Sequence, residues 1–343
     1  MSPSFHPQLF PFAEYWWLYG LFCLLILGGL LLDMRRRGGK EHTLAHREAL
    51  LNVIVWISLA LVFCAGLYAY GLWRFPQDLR LAGYDAHQLA SQCSLEFLSG
   101  YLVEKSLSID NLFIFLIVFD FFAIPEQFRH RVLFYGILGA LIFRGLFIAA
   151  GAVLMQIVWV PIVFGLFLIF TGFKVAFGPE SHPDPSKNIL IRSLKKVLPI
   201  TPQLHGGAFM LRQEGRWFGT PLLLTLLFIE VTDIIFAVDS VPAIFAITKE
   251  PFIVFTSNVF AILGLRALYF VLSGMVSKFH YLKYGLGFIL CFVGLKMTWL
   301  DHHFEGHFPT AWSLGIILLA LVVSGVISWL FPKLEKQDST ESE

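Results

Sequence analysis

GTPLLLTLLFIEVTDIIFAVDSVPAIFAI, residues Gly219 to Ile247, is 29 residues long and apolar almost throughout. As a helix it is long enough to cross a hydrocarbon layer of roughly 30 Å. Yet Glu230, Asp233 and Asp239 lie deep within it. Acids at that depth are expensive. An ionised side chain at mid-bilayer costs at least about 2.5–3.5 kcal/mol on insertion scales. The stretch therefore reads as a membrane helix whose polar face serves a purpose inside the protein.

Working outward, similar blocks recur along the chain. Spans are expected at about 15–32, 50–72, 94–121, 132–154, 157–178, 219–247, 252–274, 282–299 and 311–331. The composition agrees: 57% of residues are hydrophobic and 14% charged, which leaves a soluble chain too little polar surface. The expected fold is an all-α polytopic membrane protein of about nine transmembrane helices, forming one integral membrane domain over 1–343. Tyr15, Trp16, Trp17, Trp73, Trp159 and Trp299 fall near span ends, as interfacial belts do. No signal peptide is expected, because a basic leader and a cleavage site are missing. Cys23, Cys64, Cys93 and Cys291 form no CxxC pair and read as small apolar residues.

Basic residues set the orientation. Arg35, Arg36, Arg37, Lys40 and Arg47 follow span 1, Arg129 and Arg131 follow span 3, and Lys187 to Arg216 follow span 5. Lys278 and Lys283 follow span 7, and Lys333 and Lys336 lie in the tail. With nine spans these loops share one side, so the N-terminus is expected outside and the C-terminus in the cytoplasm. The 179–218 segment becomes a cytoplasmic loop and 332–343 a cytoplasmic tail, disordered at its acidic end.

The later spans echo the earlier ones. Gly165 to Lys174 reads GLFLIFTGFK and Gly287 to Lys296 reads GFILCFVGLK, with Gly, Leu, Phe, Gly and Lys in register. Arg144 and Arg266 stand at the same distance before these lysines. Glu104-x5-Asp110-Asn111 matches Asp233-x5-Asp239-Ser240. The repeat unit is three helices, over 94–178 and 219–299. An odd number makes the second unit enter from the opposite side, an inverted-topology repeat of the kind found in secondary transporters. The helices in 15–72 and 311–331 are then peripheral.

Five buried acids, Glu104, Asp110, Glu230, Asp233 and Asp239, face three buried bases, Lys105, Arg144 and Arg266. Pairing leaves about two negative charges, which a divalent cation or two protons would neutralise. The plainer alternative has Arg144 and Arg266 only pinning helices to acids. Residues seven apart share a helix face, so Glu104 aligns with Asn111 and Asp233 with Ser240. Asp110 and Asp239 sit roughly 120° away on regular helices, so they converge with the others only through a local break. Pro242 is the expected break in span 6, freeing carbonyl oxygens as ligands. The candidate metal residues are thus Glu104, Asp110, Asn111, Glu230, Asp233, Asp239 and Ser240, with Lys105, Arg144 and Arg266 as charge partners. Their carboxylate, amide and hydroxyl oxygens form a hard set that suits Mg²⁺, Ca²⁺ or Mn²⁺. His302, His303 and His307, with Asp301 and Glu305, form an outer loop that is either a weak metal landing site or simply solvated.

At these residues the chain resembles a known family. EKSLSIDNLFIF (Glu104 to Phe115) and IEVTDIIFAVDSVPAIFAIT (Ile229 to Thr248) are similar to signatures of the TerC family, its Alx branch in particular. DPSKN (Asp184 to Asn188), TPQLHGG (Thr201 to Gly207) and TSNVFAILGLRALYF (Thr256 to Phe270) extend the likeness. The resemblance implies a bacterial inner-membrane protein tied to manganese export, alkaline-pH response and tellurite resistance. It carries the acidic motif positions onto the seven candidates above. The expectation is a non-enzymatic exporter of Mn²⁺ working by alternating access. No cofactor beyond the cargo ion and no nucleic-acid partner is expected, and oligomeric state stays open. The rival is a membrane scaffold docking stress-response proteins through 179–218. HExxH is missing and no serine–histidine pair stands out, which argues against an enzyme.

Overall fold

The computed structural model describes residues 8–37, 46–157, 159–178, 199–201, 203–213, 215–272, 281–304 and 308–330, and, within its helices, all side chains except those of 31–37, 46, 110, 113, 272 and 282. Lys40, Asp184 to Asn188, Lys278, Glu305, His307 and the tail 332–343 lie outside these residues, as does the side chain of Asp110.

The helices are α1 (Phe12–Arg37), α2 (His46–Arg74), α3 (Ala86–Phe121), α4 (Glu126–Leu154), α5 (Val160–Phe177), α6 (Pro221–Phe245), α7 (Pro251–Leu263), α8 (Leu265–Leu272), α9 (Leu282–Leu295) and α10 (Thr310–Leu330). Gly264 interrupts an otherwise continuous α7–α8 span, and α9 continues through a π-turn, Lys296–Leu300, to His303. Eight spans among the described residues are long and apolar enough to cross a membrane. Helix α3, 36 residues long, is the ninth long helix in the bundle. The polytopic all-α reading holds. Sequence punctuation sets the starts: proline stands in the first turn of α5, α6 and α7, where no intrahelical N–H is needed. Asp85 caps α3 by accepting from the His87 backbone N–H at 2.9 Å.

Two features differ from expectation. A short antiparallel hairpin, β1 (Met210–Gln213) and β2 (Arg216–Gly219), precedes α6, so Gly219 pairs in a strand rather than starting the helix. Helix α6 also runs unbroken through Pro242. The ring removes only its own bond to the Val238 carbonyl, and the buried packing of residues 240–248 holds the rest of the helix in place.

Span α7–α8 sits at the centre, almost wholly buried, with α3, α4 and α2 against it. The most extensive pairing is α5 on α9, followed by α4 on α6 and α3 on α7. Glycines allow the closest approach. A Cβ on Gly172 would stand 2.6 Å from the Gly287 carbonyl oxygen, and one on Gly287 would stand 2.6 Å from that of Gly172. Gly165 and Gly294 meet in the same reciprocal way, at 2.8 and 2.5 Å. Large apolar side chains such as Leu24, Val62, Phe170 and Leu319 face outward, as lipid contact requires.

Candidate ion site around Arg144

Arg144, on α4, is 1% exposed and is the largest fully buried side chain. Its guanidinium gathers oxygens from three other helices. Nη1 donates to Glu104 Oε1 on α3, to Ser240 Oγ on α6 at 3.2 Å, and to Asn258 Oδ1 on α7 at 2.8 Å. Nε and Nη2 reach the two carboxylate oxygens of Asp233 at 3.4 and 3.2 Å. A planar fork meeting a carboxylate in this way fixes both groups in orientation. Asn258 is itself held, its amide donating to the Val254 carbonyl at 3.1 Å.

The face geometry works as the spacing requires. Asp233 and Ser240, seven residues apart, both meet Arg144. Glu104 and Asn111 are both buried on α3. Asp239 does not join them. Because α6 is continuous, Asp239 is turned toward α5, where Thr171 Oγ1 donates to it at 3.5 Å, a weak bond. The break at Pro242 that was to bring Asp239 inward is missing from α6.

Other candidates take separate places. Lys105 is next to Glu104 but donates to the Ala261 carbonyl at 3.2 Å, filling space beside Gly264. Arg266 is buried on α8. Glu230, one turn before Asp233, lies half-buried with its carboxylate against α4 at Gly139, where any Cβ would collide with it. Two oxygens here, Glu104 Oε2 and Glu230 Oε2, are buried without a hydrogen-bond partner. Such atoms are costly and demand an explanation. Among the described residues no three of His, Cys, Asp and Glu converge as metal ligands. In this arrangement Arg144 stands between Glu104 and Asp233.

Sequence reasoning missed Asn258. The signal was the Thr256-Ser257-Asn258 triplet, polar and fully buried inside an apolar helix. It also missed a second acidic group, where α3 meets the turn between α6 and α7. Thr248 Oγ1 donates to Glu96 at 2.5 Å, and Glu250 accepts from the backbone N–H groups of Leu9 and Phe10 at 2.8 and 3.3 Å. Burial pushes the Glu250 carboxyl up to about 7, against those two hydrogen bonds.

A family profile described as "Integral membrane protein TerC family" matches residues 89–336. A protein of Photorhabdus laumondii named "Putative membrane-bound redox modulator Alx" is 43% identical over 329 residues, covering 95% of this chain and 98% of that protein. Its namesake from Escherichia coli K12 is 40% identical over 323 residues, covering 93% and 97%. A Myxococcus xanthus protein named "Uncharacterized membrane protein STKORF319" is 44% identical over 285 residues, covering 83% and 84%. No solved structure gives a significant match. The profile spans well over half of the chain and the relatives align over nearly all of it, so this protein is a member of the TerC family of integral membrane proteins.

Proposed function

We propose that this chain exports a divalent cation, foremost Mn²⁺, through the carboxylates around Arg144. One observation carries the reading: Glu104 and Asp233 meet on one guanidinium inside an apolar helix bundle, and Glu104 keeps a buried oxygen without a partner. A purely structural ion pair would be expected to use its acids fully. The donors are hard oxygens, which suits Mn²⁺, Mg²⁺ or Ca²⁺ over thiophilic metals. Support for alternating access by two inverted units comes from the glycine crossing. Gly165 and Gly172 occupy the positions in α5 that Gly287 and Gly294 occupy in the α9 repeat, so exchanging the units turns one close contact into the other. Packing is likewise matched, α3 on α7 corresponding to α4 on α6.

Export against an inside-negative potential costs about 2.3 kcal/mol per charge per 100 mV, so a dication needs coupling, and returning protons are the simplest coin. The test is Mn²⁺ flux in proteoliposomes with an internal pH dye. The expected result is Mn²⁺ movement with opposite proton movement, lost in Asp110→Asn and Asp233→Asn. Native flux in both variants would favour the scaffold reading, in which truncating 179–218 is the damaging change. Placement in a bacterial inner membrane with the N-terminus outside is part of the same proposal. Reporter fusions near residues 85 and 340 should report outside and cytoplasm respectively. The relatives' printed name speaks of a redox role; the free cysteines of this chain, Cys23, Cys64, Cys93 and Cys291, lie on four different helices.

A further inference from the structure

The atoms around Arg144 are those a hard dication would take. Two carboxylates, a hydroxyl and an amide carbonyl converge on one guanidinium from α3, α6 and α7. Glu104, fully buried, keeps its second oxygen unpartnered beside that cluster. The charges also match. Glu104 and Asp233 carry two negatives, which Arg144 only half balances and a dication would balance in full.

An acid with an unused oxygen stands beside the cluster on α6: Glu230, one turn before Asp233. Side chains on a helix lean toward its N-terminus. Gly139 is five residues before Arg144, about 7.5 Å of rise and about 140° around the axis. There α4 has no side chain, and the Glu230 carboxylate fills the space, with one oxygen buried and unpartnered. A guanidinium that lets go of Asp233 meets the Glu230 carboxylate one turn earlier on α6.

We infer that Arg144 is a tethered counter-cation that fills the carboxylate site when no metal is there, and that a dication binds by displacing it toward Glu230. This rests on the export reading and adds its reset step. The empty site keeps an internal cation, so the two acids need not be left bare or protonated between cargo ions. Glu230 becomes the parking place of the arginine rather than a ligand of the metal.

The two roles predict opposite signs. Full-length protein in lipid nanodiscs is titrated with MnCl₂, and binding is followed by the shift in thermal unfolding and by radiolabelled Mn²⁺. Arg144→Gln removes the competitor, so half-saturation should fall at least tenfold, and Mn²⁺ should restore the stability that the variant loses in chelator. Arg144→Lys keeps the charge but reaches fewer of the oxygens. Half-saturation should fall by less, and this variant carries the test if the glutamine protein does not accumulate. Glu230→Gln removes the parking place and should raise half-saturation severalfold. Unchanged or raised half-saturation in both arginine variants overturns the inference, as does saturable binding in none of the four proteins. Normal export by the wild type with unmoved arginine variants sinks this inference alone. Displacement-type binding without flux keeps it and sinks export.

Discussion

Asp233 and Asp239 stand six residues apart on α6, and the helix turns them to different neighbours. Asp233 is 4% exposed and grips Arg144 with both oxygens. Asp239 is half-buried, faces α5, and accepts one long bond from Thr171. Both lie in the same apolar run, yet only one is tied to a buried counter-charge. The contrast shows that rotation about the helix axis, and not depth in the bundle, selects which acid is locked. It also separates two jobs that the sequence merged: a charge-paired core among α3, α4, α6 and α7, and a looser acid on the α5 side.

The sharpest way to break this comparison is to neutralise each acid in turn. Asp233→Asn leaves a buried guanidinium with one carboxylate where it had two, a loss expected at about 3–5 kcal/mol. Unfolding in detergent and the level of protein in the membrane would register it. Asp239→Asn should accumulate as the wild type does and lose transport. Equal destabilisation by both would erase the distinction between the two faces.

The α5 side depends on the glycine crossing with α9. Gly172→Ala or Gly294→Ala would drive a methyl into a facing backbone carbonyl, at 2.6 and 2.5 Å respectively, and push α5 away from its place beside Asp239. Overpacking of this kind costs about 1–3 kcal/mol. Gly66→Ala is the control, since nothing lies within 4 Å of its added Cβ. Thermal unfolding should separate the pair from the control, and a neutral result in all three would mean that the crossing can relax.

A third acid, Glu250, lies past the end of α6 and outside the spans, where pH can test it directly. Burial raises its carboxyl to about 7 in the folded protein, from 4.5 unperturbed. A raised folded value means that the native state holds the proton more tightly. Its stabilising contribution is present in full below about pH 4.5 and is lost as pH rises through 7. Glu250→Gln should therefore flatten the decline in unfolding temperature across that window, and an unchanged slope would assign the decline to other groups. The smallest effect is expected from Thr171→Val. The 3.5 Å bond it removes is weak, so stability should change by less than about 1 kcal/mol. A larger loss would mean that the Asp239 side is more tightly held than its one bond suggests.

Much of this was legible in the residues alone. Among the described residues, apolar blocks of membrane-spanning length place nine long helical spans within a few residues of where they occur, apart from the earlier starts of α3 and α4. Backbone hydrogen bonds in lipid must close within a segment, so length and hydropathy suffice. The seven-residue spacing put Asp233 and Ser240 on one face, and charge balance named Arg144 with Lys105 and Arg266 as the partners of the buried acids, because both follow from local helix geometry and the cost of bare charge. Which base meets which acid did not follow. Only the tertiary structure decided the rest. Asn258 joins Arg144 across 114 positions of chain, and Lys105 meets the Ala261 carbonyl across 156. Glu230 fits against Gly139, and Asp239 turns to α5 because Pro242 does not break α6. Such meetings depend on how each helix is rotated and how closely it crosses its neighbours. Those quantities are set by packing summed over helices far apart in sequence, and no local window of residues contains them.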